Sequence, residues 1–118
     1  NYTSINELGY EYIEKPQIAV AIMKQGTVLY PFYPNSFDSY ADALFANKEY
    51  NLAKENAQKA VELARLKSNQ HLEYFENNQI ELEHKCDSIA QEENAIRATL
   101  MDYIEGTSNG VYMSLQGR

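Results

Sequence analysis

Apolar and polar positions change their rhythm near residue 35. Before it, three short runs read as strands: Tyr10–Glu14, Gln17–Met23 and Thr27–Phe32. In the second run Ile18, Val20 and Ile22 alternate with Ala19 and Ala21, a period of two that suits a half-buried strand. Lys24-Gln25-Gly26 then predicts a hairpin turn, with Gly26 supplying a positive φ. The competing reading is a short helix opened by Pro16 and capped by Gly26. Pro31-Phe32-Tyr33-Pro34 forms a stiff connector, because proline discourages helix in the residue before it.

After the connector the period becomes helical. From Asn35 to Glu105 there is neither glycine nor proline, and Ala, Leu, Glu, Lys, Gln and Asn predominate. One straight helix of that length would reach about 105 Å, so the stretch must fold back or form a rod. Asn35 or Ser36 is expected to cap a first helix, in which Phe37, Tyr40, Ala41, Leu44 and Phe45 share a stripe. Asn47-Lys48-Glu49 is the expected turn. A second helix from Tyr50 places Ala53, Ala57, Ala60, Val61, Ala64 and Leu66 inward.

A third segment carries heptads. Leu72, Gln79, Cys86, Glu93 and Leu100 occupy one seam position, and Phe75, Leu82, Ile89, Ile96 and Tyr103 the other. A break at Ser68-Asn69-Gln70, a break at Asn77-Asn78 and a continuous helix all fit the pattern. Gly106 is expected to end this helix, and Gly110–Gln116 to add a final strand to the N-terminal hairpin. The expected fold class is therefore mainly α with an α+β character. A small N-terminal β-hairpin (1–34), a helical region (35–105) and a tail (106–118) make up one domain.

Charge narrows the partners. The formal net charge is −7, and nine acidic residues against Lys85 and Arg97 between Glu73 and Glu105 account for all of it. That balance argues against nucleic acid and anionic membranes. No apolar run is long enough to insert into a bilayer; Ile18–Met23 is the longest. Cys86 is the single cysteine, so no intrachain disulfide forms and the compartment stays open. The chain begins with Asn1 rather than Met and shows no signal peptide, which leaves upstream processing, trimming and omitted sequence equally open.

Residues 37–64 resemble a single tetratricopeptide repeat. Phe37, Tyr40, Ala41 and Leu44 stand in the first helix, and Tyr50, Ala53, Ala57, Ala60-Val61 and Leu63 in the second. The resemblance implies an antiparallel helix pair used for protein–protein contact. Ala41 stands where the family often has Gly, Ala57 replaces an aromatic residue, and Arg65 stands where a closing Pro is common. No second copy is evident along the chain.

Chemistry-bearing patterns are sparse. Arg65 and His71 match the Arg-x(4–6)-His spacing of HEPN-family ribonucleases, which implies RNA cleavage, although Leu66 follows the arginine where a polar residue is usual. Glu81 and His84 have the Glu-x-x-His spacing of di-iron bundles, but the heptad phase turns both away from the seam. No metal or cofactor is expected. The expected function is a non-enzymatic interaction or assembly subunit that binds a protein partner or a second copy of itself. Tyr30, Phe32, Tyr33, Phe37 and Tyr40 form one candidate contact patch, and Phe75, Leu82, Ile89, Ile96 and Tyr103 another.

Overall fold

The computed structural model describes residues 1–117, with side chains through Gly106. Its elements are α1 (Tyr2–Glu11), α2 (Pro16–Leu29), α3 (Pro34–Ala46), α4 (Tyr50–Leu66) and α5 (Leu72–Gly117). The chain divides into two compact units, Asn1–His84 and Lys85–Arg118. The first holds α1–α4 and the start of α5.

The expected N-terminal β-hairpin is absent: among the described residues there is no strand, and α1 and α2 occupy its place. The reason lies in which residues are buried. Along α2 these are Ala19, Met23 and Gly26, spaced by four and then three, which is one face of a helix. The apparent alternation set β-branched residues against alanines, so it separated large from small rather than inside from outside. Pro16 opens α2, where a missing N–H costs nothing. Gly26 does not turn the chain. It has no positive φ and lies within α2, where an added Cβ would sit 3.5 Å from Ile5 on α1.

Gly9 makes the closest approach. A Cβ there would fall 2.6 Å from both Cγ and Cε of Met23, so the absence of a side chain lets α1 seat on α2. At the start of α1, the Asn1 side chain accepts from the Ser4 backbone N–H at 3.0 Å.

α3 and α4 form an antiparallel pair. Near their shared turn Phe45 and Tyr50 meet edge to face at 5.4 Å. At the far end Phe37 packs with Ala60, Val61 and Ala64, joined by Phe75 from α5. Asn47-Lys48-Glu49 is the turn, and it closes α3 as a Schellman motif: Glu49 N–H donates to Leu44 O and Lys48 N–H to Phe45 O. α4 ends the same way, with Asn69 N–H donating to Ala64 O and Ser68 N–H to Arg65 O. Lys48 and Ser68 accordingly take positive φ, 62° and 48°. The break before α5 thus falls at Ser68–Gln70, and Asn77-Asn78 lies inside the helix. Pro34 takes the first turn of α3 with Tyr33 as the capping residue, in place of Asn35 or Ser36. Leu66, expected inward, is exposed.

The two helix pairs share a spacing. Ala19, Met23 and Gly26 of α2 recur 34 residues later as Ala53, Ala57 and Ala60 of α4, all six buried. Phe37 and Leu44 of α3 recur 38 residues later as Phe75 and Leu82 of α5, again all buried. The recurrence concerns buried positions and not residue size, since Met23 corresponds to Ala57.

α5 runs through Gly106, which does not end it, and its backbone is helical where the final strand was expected. Along the seam Phe75, Leu82 and Cys86 are buried, while Leu72, Gln79 and Ile89 are half-buried. From Ala90 to Gly106 every residue is exposed.

Candidate functional site

Within the first unit, the beginnings of α1, α3 and α5 converge. Tyr2 comes from α1, Pro34 and Asn35 open α3, and His71 and Phe75 flank the start of α5. With Tyr33, Lys67 and Asn69 from the adjoining connectors, they line an open hollow of 330 Å³. Short helices joined by tight turns bring these ends together, because each second helix returns the chain to the side where its pair began.

One wall is aromatic. Tyr2, Tyr30 and Tyr33 pack pairwise with ring centroids 5.4–5.7 Å apart. The connector that carries Tyr33 is held by Ser36, whose Oγ donates to Tyr30 O at 3.0 Å. Lys67 Nζ stands 5.6 Å from the Tyr33 ring centroid and 6.0 Å from that of Phe32, within cation–π range. The Tyr2 hydroxyl is buried with no partner in hydrogen-bonding geometry. Burial is the main reason its pKa is pushed up to about 12, with the Ser39 hydroxyl opposing.

The opposite wall is polar. Asn69 Oδ1 accepts from the His71 backbone N–H at 2.7 Å, which fixes the connector. Gln70 Nε2 lies 3.3 Å from His71 Nε2; with the amide donating, the ring proton sits on Nδ1. No acidic residue is among the described residues that line the hollow.

A second polar cluster joins α1, α3 and α5. Asp38 is buried, and its carboxylate accepts from Asn78 Nδ2 at 3.2 and 3.4 Å. Burial, and secondarily the nearby Asp42, push the Asp38 pKa up to about 7, with the Asn78 amide opposing. Tyr10, also raised chiefly by burial, bonds Asp42.

The expected contact residues separate by environment. Phe37, Phe75 and Leu82 are core residues. Tyr40 packs beside Ala19, Met23 and Ala43, and Tyr30 joins the aromatic wall. Phe32 and Tyr33 are exposed. In the second unit Ile89 is half-buried, whereas Ile96 and Tyr103 are 60% and 68% exposed. Ile96, Leu100 and Tyr103 follow one helical stripe and, with Ala95 and Thr99, line an apolar groove. Arg65 pairs with Glu76 at 3.4 Å, and His71 belongs to the hollow. Glu81 and His84 are both exposed, and among the described residues no cluster of three metal-ligating side chains exists.

Sequence reasoning missed Tyr2, Asn35, Lys67 and Asn69 as neighbours, and Asp38 with Asn78. Only the helix-pair spacing, extended back to Gly9, could have indicated that these helix starts share one side.

Among the described residues no helix is long and apolar enough to cross a membrane. The sequence matches no known protein family and no curated protein. The fold is similar to the solution structure of a structural-genomics target from Bordetella parapertussis, with TM-score 0.61 and 18% identity over 80% of this chain and 82% of that one. At that identity the likeness concerns the fold alone.

Proposed function

We propose that the chain is a helical-repeat module of tetratricopeptide type that serves in protein–protein interaction, without enzymatic activity. The observation that carries this reading is the 34-residue recurrence of buried positions, Ala19, Met23 and Gly26 with Ala53, Ala57 and Ala60. That period is the length of one such repeat. Each pair leaves part of its surface for a neighbour, and the third pair is represented here by α5 alone.

The exposed stripe of Ile96, Leu100 and Tyr103 supplies the second support, since apolar surface at this density favours a protein partner or a second copy. Light scattering of the full chain across a wide concentration range tests it, alongside Ile96→Asp and Tyr103→Asp. The reading expects association that either substitution weakens. A chain that stays monomeric and retains no protein from its own source would sink it. The alternative of a HEPN-like ribonuclease gains no support from Arg65, whose guanidinium is paired with Glu76.

A further inference from the structure

We infer that the second half of α5 is the docking face for a basic amphipathic helix of another protein. That helix lays its apolar side on Ile96, Leu100 and Tyr103 and sets its lysines or arginines against Glu92 and Glu93. The inference rests on the interaction reading above and names the chemistry of the partner.

Spacing defines the face. Ile96, Leu100 and Tyr103 lie four and then three residues apart on one stripe of α5, and all three are exposed. Glu92 and Glu93 precede Ile96 by four and three residues, which places them one turn before it on the two sides of the stripe. Glu92 also lines the apolar groove. Neither carboxylate is paired with a cation among the described residues.

Charge selects the occupant. Between Lys85 and Arg97 there is no basic residue, whereas Asp87, Glu92 and Glu93 are acidic. From Ala90 to Gly106 the exposed surface carries four carboxylates against the Arg97 guanidinium, a net charge of −3. A second copy would bring the same excess to the contact and be repelled, as would a nucleic acid or an anionic bilayer. Cations flanking a partner's apolar stripe turn that repulsion into attraction and orient the docking.

Shape selects the occupant's form. The backbone groups of this stretch are spent within the helix, so no free edge exists for a strand to join. One helix cannot enclose a small molecule. Its surface accepts another helix, anchored by side chains at three- and four-residue spacing.

The test is calorimetric titration of the full chain with two acetylated, amidated peptides: three repeats of Leu-Ala-Ala-Leu-Lys-Ala-Lys, and the same sequence with glutamate for lysine. The lysine peptide should bind and the glutamate peptide should not. Glu92→Lys combined with Glu93→Lys, both at exposed positions, should weaken the lysine peptide roughly tenfold. Leu100→Gln keeps helix propensity and charge and should weaken it by about the same factor. Equal affinity for the two peptides, no binding of either, or an unchanged Kd in the doubly substituted chain or in Leu100→Gln overturns the inference. Self-association that the lysine peptide fails to displace also overturns it, assigning the stripe to a second copy while the interaction reading stands. A monomeric chain that ignores the lysine peptide yet retains a protein from its own source overturns the basic-helix inference alone.

Discussion

The Tyr10 hydroxyl donates a 2.5 Å hydrogen bond to Asp42 Oδ2, tying α1 to α3 across 32 residues of chain. Few polar contacts join elements this far apart in sequence, and this one lies beside the buried Asp38–Asn78 pair. Tyr10→Phe removes the donor and keeps the ring. Because the bond is partly exposed, the expected loss is about 1 kcal/mol, at the low end for bonds to charged groups. A urea transition with a lower midpoint and an unchanged slope would register it.

Asp38 makes stability depend on pH in a direction opposite to most carboxylates. Its folded pKa of about 7 lies above the ordinary 3.8, so the folded state holds the proton more tightly than the unfolded chain. Its contribution is full below pH ~4, is lost as pH rises toward ~7, and then levels off. An upper bound is about 4 kcal/mol over that window. Asp38→Asn should flatten this slope and make the protein more stable than wild type at pH 8. A wild-type urea midpoint that rose with pH across the same range, unaltered in Asp38→Asn, would contradict this.

Gly9 and Met23 predict a reversal of sign. Gly9→Ala gains up to about 1 kcal/mol of helix propensity but forces a methyl against Met23 Cγ, an overpacking cost of about 1–3 kcal/mol. The net expectation is destabilisation. In a Met23→Ala background the obstruction is gone, and the same Gly9→Ala change should stabilise. A double-mutant cycle by chemical denaturation reads the coupling.

Lys48 occupies the left-handed position of the α3 Schellman motif, φ 62°. Lys48→Gly should stabilise by roughly 0.5–1 kcal/mol, and Lys48→Val should destabilise, since a β-branched residue tolerates that conformation least. Thermal midpoints of the two variants should move in opposite directions.

Ala53 and Ala57 predict that α4 will not accept bulk. Ala57→Leu inserts three carbons where α4 is fully covered, and an expected loss of about 1–3 kcal/mol follows. The exposed Gln58 next to it should accept leucine with little change.

The α3–α4 pair was legible because several signals agreed: absence of breakers, alanines at helical spacing, and Asn47–Glu49 between them. The first two helices were hidden for a physical reason. Residues 18–22 are all apolar, so their pattern carries size but little inside–outside information, and a two-residue period emerges by accident. Gly26 was read through backbone freedom, whereas its use, like that of Gly9, is closeness between helices. The break at Ser68–Gln70 could not be distinguished from Asn77-Asn78, since asparagine and serine tolerate both helix interiors and left-handed caps. For the hollow, Tyr30 and Tyr33 were visible as an aromatic cluster. Lys67 and Tyr2 join them only once the fold has returned the chain to its starting side.

Seven alanines lie in the innermost layer: residues 19, 41, 43, 53, 57, 60 and 64. A lone methyl shields little oil from water, so the resilience of this body comes mostly from how tightly its backbones are pressed together. Such an interior leaves evolution scant slack within and ample freedom without: the hidden positions are pinned by volume, while outward ones can be rewritten to suit new neighbours.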